Sequence, residues 1–421
     1  MSLWGELFSE GNLAAALERV ERNRGAAGVD QMAADELRPW LIGHWAEVKE
    51  RLDSGTYAPL PVRRVAIPKP DGGERLLGVP SVLDRMIQQA IAQILTPVFD
   101  PGFVPVSYGF RPGKSALQAV KAAQWAVSEG YRWVVEVDLD AFFDRVNHDM
   151  LMARVARKVE DHRLLRLIRA YLEAGIMEGG VRREVREGTP QGSPLSPLLS
   201  NIFLDDYDQE FWRRGVRFVR YADDIRVFVK SKRAAKRALL QATRVLEEGL
   251  RLRVNQTKSK IEPATRATLL GYGFYFVKSG VKLRVAPKAW QRMKMRVREL
   301  TSRRRSIAME YRVEVLNRYV RGWMAYFRLA DTPGRFEEID QWFRRRLRQI
   351  RWKEWKLPRT RVRMLICLGI PAHQAYQWGN GSRAYWRVAG SPVLTRALPN
   401  VYWRSLGVVF FQAAWGRYRT T

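Results

Sequence analysis

The chain has little with which to cross-link itself: among 421 residues there is one cysteine, Cys367, and only four histidines, His44, His148, His162 and His373. That excludes an intramolecular disulfide and a cysteine-rich zinc module, and histidines so scattered make no ligand cluster. No apolar run reaches 18 residues and no lipidation signal is present, which argues against a membrane role. Met1 to Val20 lacks the basic and apolar regions of a signal peptide, so the protein is expected to stay inside the cell. Acidic residues are scarce and unevenly spread. There are 73 Lys and Arg against 43 Asp and Glu, a net charge of +30, and from residue 361 onward there is no acidic residue at all. Residues 281–421 hold 31 basic and 8 acidic residues, a net of +23, which leaves +7 for residues 1–280. A charge of that size implies a polyanionic partner, of which nucleic acid is the commonest. The last third is thus the polyanion-binding part, and the first two thirds resemble an ordinary enzyme. Hydrophobic residues make up 46%, enough for a sizeable core, and the length allows two or three domains.

The pattern along the chain is mixed. Residues 11–50 read as helical with a break at Gly25-Ala26-Ala27-Gly28-Val29-Asp30. Val62 to Pro80 alternates apolar and polar residues around Asp71-Gly72-Gly73, a hairpin signal. Helical spacing predicts helices over 84–98 and 150–172, with a short strand from Tyr131 to Asp138 between them. After a loop at Gly188–Pro197, Ser196 is the expected N-cap and Pro197 the first position of a helix running to about Arg213. Arg217 to Val229 reads as strand, two-residue turn, strand, and Leu269 to Val285 as a second hairpin. Beyond Pro287 the spacing changes to three amphipathic helices. Their apolar faces carry Trp290, Met293, Val297 and Leu300, then Leu316, Val320, Trp323 and Phe327, then Ile339, Trp342, Phe343, Leu347 and Ile350. Arg344, Arg345, Arg346, Arg348 and Arg351 lie largely elsewhere on the last of these, and arginine suits phosphate through its planar fork.

The strongest chemical signal is Tyr221-Ala222-Asp223-Asp224, centred on the predicted hairpin turn. Adjacent carboxylates repel each other and suit a divalent cation better than an apolar core. Asp138 ends the strand Trp133–Val137. If the two strands are neighbours, Asp138 and Asp223 converge, and three carboxylates fit two Mg²⁺ ions about 3.5–4 Å apart. Alone, an Asp pair in a turn is ordinary turn chemistry. Its weight comes from its order with other segments: Asp138-Leu139-Asp140-Ala141-Phe142-Phe143-Asp144, then Gly188-Thr189-Pro190-Gln191-Gly192-Ser193-Pro194-Leu195-Ser196-Pro197, then Tyr221–Asp224.

This series resembles the palm motifs of reverse transcriptases, and in particular the group II intron-encoded reverse transcriptase/maturase branch. Gly25–Asp30, Asn147-His148-Asp149, Leu269-Leu270-Gly271-Tyr272 and Asn317–Phe327 resemble the same branch, so the likeness covers essentially the whole chain. It implies a right-hand polymerase of the α/β (α+β) class: fingers and an antiparallel palm over 1–285, a three-helix thumb or maturase domain over 286–360, and a small basic DNA-binding tail over 361–421. It implies copying of RNA into DNA with two Mg²⁺ ions, or Mn²⁺ as a substitute, and binding of the parent intron RNA to assist splicing and mobility.

Residue by residue, the resemblance makes Asp138, Asp223 and Asp224 the catalytic metal ligands. Lys69 and Arg75 match cations that grip the deoxynucleoside triphosphate; without the family they read as solvated hairpin surface. Phe143 matches a steric gate against a ribose 2′-hydroxyl, or is a core aromatic. Gln191 matches a residue near nucleotide and template, or caps the following helix. Lys258 resembles a proton donor to pyrophosphate, a role Lys260 would serve equally. The five arginines from Arg344 to Arg351 are the expected nucleic-acid contacts. Expected partners are intron RNA, template and primer, target DNA and deoxynucleotides, within a cytoplasmic bacterial ribonucleoprotein. Longer relatives continue into a cysteine- and histidine-bearing nuclease domain, which this chain is expected to lack. Two alternatives stand beside this reading: an RNA-binding splicing factor with a vestigial polymerase, and a host-adopted reverse transcriptase in defence or DNA repair.

Overall fold

The computed structural model describes residues 2–68, 72–185 and 187–420. The chain divides into two compact units, Met1–Pro263 and Ala264–Thr421. Among the described residues no helix is long and apolar enough to cross a membrane.

The first unit runs α1 (Leu3–Leu7), α2 (Glu10–Asn23), α3 (Leu37–Asp53), β1 (Val62–Pro68), β2 (Glu74–Val79), α4 (Val82–Phe99), α5 (Ala116–Ser128), β3 (Trp133–Val137), α6 (His148–Val155), α7 (His162–Glu173), β4 (Ile176–Glu178), β5 (Val181–Arg183), α8 (Ser196–Arg213), β6 (Arg217–Tyr221), β7 (Asp224–Val229), α9 (Lys232–Arg244) and β8 (Lys260–Pro263). Short polar side chains start many of the helices. Ser81, Ser115, Asn147, Asp161 and Ser231 each accept a backbone N–H from the first turn of α4, α5, α6, α7 and α9, which satisfies donors that the helix itself leaves unpaired. Helix α4 is buried over most of its surface, with Val82, Ile87, Ala90, Ile91 and Leu95 fully enclosed and Asp84, Arg85 and Gln88 buried beside them.

Two sheets organise this unit. The fingers sheet has the order β2-β1-β4-β5, with β1 and β2 forming the predicted hairpin. The palm sheet has the order β6-β7-β3-β8 and is antiparallel throughout. Val134, Val135 and Val137 of β3 are all buried. Successive strand residues point to opposite faces, so β3 is covered on both sides. Such a strand tolerates almost no register slip, and this fixes the position of Asp138 immediately beyond its end.

Two sequence expectations change. The helix expected over 150–172 is two, α6 and α7, because Asp161 accepts from the N–H groups of Arg163 and Leu164 and restarts the helix there. Ser196 is not an N-cap: it is the first residue of α8, and its hydroxyl donates to the Pro190 carbonyl at 2.9 Å.

The second unit holds β9 (Thr268–Leu269), β10 (Tyr272–Val277) and β11 (Gly280–Val285), then α10 (Pro287–Leu300), α11 (Met309–Tyr326), α12 (Pro333–Glu354), α13 (Pro358–Cys367), α14 (Ala372–Gly379), α15 (Tyr385–Ala389), α16 (Pro392–Ala397), α17 (Asn400–Ser405) and α18 (Phe411–Thr420). The three helices expected after Pro287 are α10 to α12. Their core is aromatic: Trp323 meets Phe411 edge-on at 5.6 Å, Phe336 meets Trp415 at 5.7 Å and Phe343 meets Phe411 at 5.9 Å. Each such ring contributes roughly 1.5–3 kcal/mol by leaving water. Because α18 supplies Phe411 and Trp415, the end of the chain completes the core of α11 and α12. The compact division falls after Pro263, and within the second unit α15 packs on α12 and α18 on α11 and α12.

Candidate active site

Val137 of β3 is paired with Ile225 of β7, so Asp138, just beyond β3, comes beside Asp224, the first residue of β7. Tyr221 is paired with Asp224, which makes Ala222 and Asp223 the two-residue turn between β6 and β7. Asp223 is exposed and the other two carboxylates are half-buried. The backbone of Asp138 is clamped: its N–H donates to the Ser259 hydroxyl at 3.1 Å, and its carbonyl accepts from Asn255 N–H at 2.8 Å. Asn255 also turns the chain, its side-chain oxygen accepting from the N–H groups of Thr257 and Lys258, both at 3.1 Å. That returns Lys258 toward Asp138.

The charges act on one another. Burial pushes the Asp138 carboxyl above the usual range, the Lys258 ammonium opposes this, and the Asp223 charge adds to it. Burial raises Asp224 as well, against Arg226, with Asp223 and Asp138 contributing. Two like charges held together at one strand end are a standing cost that a cation would relieve. The convergence stops short of a cage, however. Among the described residues no three His, Cys, Asp or Glu side chains stand close enough to hold a metal ion together. Asp224 is in an ion pair with Arg226, whose other arm donates to Glu136 at 2.9 Å.

Phe143 follows on a short 3₁₀ turn, Phe142–Asp144. Phe142 is buried and Phe143 half-buried, lining a cavity of about 300 Å³ with Arg64, Tyr171, Gly188, Thr189 and Pro190. Its carbonyl accepts from Thr189 N–H at 2.6 Å, and His148 Nε2 lies 2.7 Å from the Gly188 carbonyl. The loop at 188–197 is thus stitched to the segment after Asp138. It is stitched to the fingers too, since the Gln191 carbonyl accepts from Gly78 N–H at 2.8 Å. A Cβ on Gly78 would come 2.9 Å from the Val62 side chain, which is why glycine stands at that crossing. The N-cap residue of α8 is Leu195, whose side chain makes no capping hydrogen bond. Arg75 is exposed on β2, opposite Ile67, while Lys69 lies outside the described residues. The Gly25–Asp30 break packs on the fingers, with Arg63 donating to Ala27 O at 2.6 Å and Arg85 to Ala26 O at 2.7 Å.

In the second unit four of the five arginines carry internal hydrogen bonds, and the fifth, Arg344, a ring contact. Arg345 donates to the Trp386 carbonyl at 2.8 Å and stacks on that ring at 4.2 Å. Arg346 donates to the Thr301 hydroxyl at 2.9 Å, and Arg351 to Glu354 at 2.8 Å. Arg348 is buried against Ala389, which lowers it to about 10, with Arg344 and Arg345 adding repulsion. Arg344 lies over the Phe410 ring. More open cations stand at Arg292, Arg298, Arg303 and Arg304, which helical periodicity did not single out.

An antiparallel sheet that ends in carboxylates on one strand and on the neighbouring two-residue turn defines the palm of a right-hand polymerase, with the fingers sheet attached through the 188–197 loop. Comparison with known proteins narrows this class. The family description "Reverse transcriptase (RNA-dependent DNA polymerase)" matches residues 67–274, and "Group II intron, maturase-specific domain" matches residues 290–366. Protein YkfC of Escherichia coli (strain K12) is 35% identical over 289 residues, covering 59% of this chain and 76% of YkfC. The group II intron-encoded protein LtrA of Lactococcus lactis subsp. cremoris is 36% identical over 208 residues, 49% of this chain and 34% of LtrA. A protein of the cob intron of Schizosaccharomyces pombe is 36% identical over 163 residues, 39% of this chain and 20% of that one. The chain thus spans about three quarters of YkfC and a third or less of the intron-encoded relatives. It belongs to the group II intron reverse transcriptase/maturase family.

Proposed function

We propose that this chain is an RNA-directed DNA polymerase that extends a primer 3′ end with deoxynucleotides on an RNA template, and that it binds intron RNA to assist splicing and mobility. The observation that carries the reading is the register that delivers Asp138 beside Asp224 and one residue from the turn that bears Asp223. The donor set fits Mg²⁺, which prefers hard oxygen ligands and keeps water and phosphate in its shell. Two such ions, or Mn²⁺ in their place, supply activation of the primer hydroxyl and neutralisation of the leaving pyrophosphate. Asp138, Asp223 and Asp224 would hold them, Arg226 being the partner that now neutralises Asp224.

Arg75, with Lys69, grips the triphosphate from the fingers hairpin. Phe143 closes the sugar side, Gln191 faces nucleotide and template, and Lys258, already turned toward Asp138, gives a proton to the departing pyrophosphate. In the second unit Arg344, Arg345, Arg346, Arg348 and Arg351 bind nucleic acid through the donors that their internal bonds leave over, together with Arg292, Arg298, Arg303 and Arg304. That attraction serves intron RNA, template and target DNA, in a cytoplasmic bacterial ribonucleoprotein. It requires no protein catalysis in splicing, since the RNA carries out that chemistry.

The test is primer extension on an RNA template with Mg²⁺ and deoxynucleotides, wild type beside Asp223→Asn. Extension by wild type alone, with RNA binding equal in both, is the expected result. No extension by either, with tight RNA binding retained, would transfer the function to RNA folding alone.

A further inference from the structure

The turn that carries Asp223 rests on a buried charged network that none of the roles above employs. Arg220, the residue before Tyr221, and Asp208 of α8 are both fully buried. The Arg220 guanidinium donates to both oxygens of Asp208, from Nε at 2.8 Å to each and from one terminal nitrogen at 2.5 Å. Its other terminal nitrogen donates to the Asn201 side-chain oxygen at 3.0 Å and to the Ala222 carbonyl at 2.9 Å. Asn201, also buried, uses its amide to donate to the Gly109 carbonyl at 2.9 Å. The Arg220 backbone is gripped by the same stretch of chain, its N–H donating to Val106 O at 3.0 Å and its carbonyl accepting from Tyr108 N–H at 2.9 Å.

One bond of this set, from the guanidinium to the Ala222 carbonyl, reaches the turn itself, and the others hold that guanidinium and its strand in place. Ala222 has a φ of 57°, in the left-handed region that a side chain with a Cβ seldom adopts. Its carbonyl is held by Arg220. Its nitrogen is met from the other side by Gly109, where even a Cβ would come within 2.2 Å. Conformations of this kind persist only where the surroundings over-determine them, and they cluster at functional sites.

A buried ion pair is a poor way to gain stability, because desolvation consumes most of the attraction and a packed apolar pair does as well. What an apolar pair cannot supply is an N–H aimed at one carbonyl. We infer that Arg220, Asp208 and Asn201 are positioning residues: with the close approach of Gly109 they lock the left-handed turn at Ala222, and so fix where Asp223 presents its carboxylate to metal. The inference rests on the polymerase reading for its catalytic arm only.

The experiment uses the full chain and two variants, the apolar pair Arg220→Met/Asp208→Leu and Gly109→Ala, with Asp223→Asn as calibration. Mn²⁺ affinity is read by electron paramagnetic resonance, primer extension gives kcat and KM for the deoxynucleotide, and thermal unfolding reports folding. Misplacement of about 1 Å can cost a hundredfold in rate. Both variants should therefore lose about ten- to a hundredfold in kcat, keep KM within about threefold and bind Mn²⁺ several-fold more weakly per folded molecule, the apolar pair at an unfolding midpoint near that of wild type and Gly109→Ala at a lower one. A purely structural role would instead move the midpoint and leave kcat and Mn²⁺ affinity per folded molecule unchanged, and that result overturns the inference. Should the apolar pair not fold, Gly109→Ala decides alone, with wild-type values in both readouts refuting the lock. A wild type that binds Mn²⁺ without extending a primer defeats the polymerase reading, and the Mn²⁺ arm still decides this one.

Discussion

The two units handle arginine in different ways. In the first, four buried guanidinium groups face carboxylates, Arg220 with Asp208, Arg111 with Asp100, Arg154 with Asp206, and Arg226 with Asp224 and Glu136, while Arg63 and Arg85 face the carbonyls of Ala27 and Ala26. In the second they mostly face backbone carbonyls and rings. Arg312 donates to Leu300 O at 2.7 Å and to Arg305 O at 2.8 Å, Arg361 to Trp355 O at 2.8 Å and Arg345 to Trp386 O. A carbonyl orients a guanidinium without cancelling its charge, whereas a carboxylate does both. The first unit therefore spends arginine on fixed geometry around a small acidic centre. The second keeps its positive charge intact while still using arginine as structural cement, and that uncancelled charge is what a polyanion meets at long range.

The comparison breaks most readily in salt. If the second unit binds RNA through six to ten phosphates, affinity should fall by about a thousandfold or more between 50 and 200 mM salt. Arg303→Ala in that unit should reduce the log–log slope by about one, whereas Arg220→Met in the first should leave it unchanged. A flat salt response, measured by filter binding, would remove the contrast. Sugar selection sharpens the other side. Phe143→Ala should raise ribonucleotide incorporation about ten- to a hundredfold relative to deoxynucleotides, with RNA affinity unaffected; competition assays showing unchanged selection would mean that Phe143 is only the wall of its cavity.

The smallest effect concerns one of the second unit's few acids. Asp340 is buried, accepts from Phe411 N–H at 2.8 Å and Gln412 N–H at 3.0 Å, and is raised by that burial to about 6. A carboxyl whose folded value lies above its unfolded one binds more protons when folded, so its contribution is fully present below about pH 4 and is lost as pH rises through 6. Denaturant unfolding of wild type against Asp340→Asn should therefore show a gap that shifts by about 1–3 kcal/mol between pH 4 and pH 7, wild type losing ground as pH rises. A gap independent of pH would mean that Asp340 serves only as a hydrogen-bond acceptor for the start of α18.

Much of this was legible in the residues. The hairpin at 217–229, the strand that ends at Asp138 and the three helices after Pro287 follow from periodicity and turn chemistry, because each is set by contacts close in sequence. The split between α6 and α7 was missed, since Asp161 inside a run of apolar spacing reads as an exposed helical position until its cap is seen. Arg220 was missed for a related reason: a basic residue on a strand reads as solvated, and the partner that makes it interior, Asp208, lies on another element. The tryptophans divide in a way that composition could not foresee. Trp352 and Trp403 are buried, while Trp386 is exposed under an arginine.

What the sequence alone determined is the order of the parts and their charge: carboxylates after one strand and on one turn, glycine where backbones cross, and an acid-free end. Those depend on residue type and near neighbours. Only the tertiary structure decided which carboxylates are free. Asp223 is exposed on its turn while Asp224 is held by Arg226, and the arginines of α12 are drawn into bonds with Trp386, Thr301 and Ala389. The reason is physical: a charged side chain is committed by whatever partner lies within a few ångströms, and for these residues that partner comes from a different element of the fold.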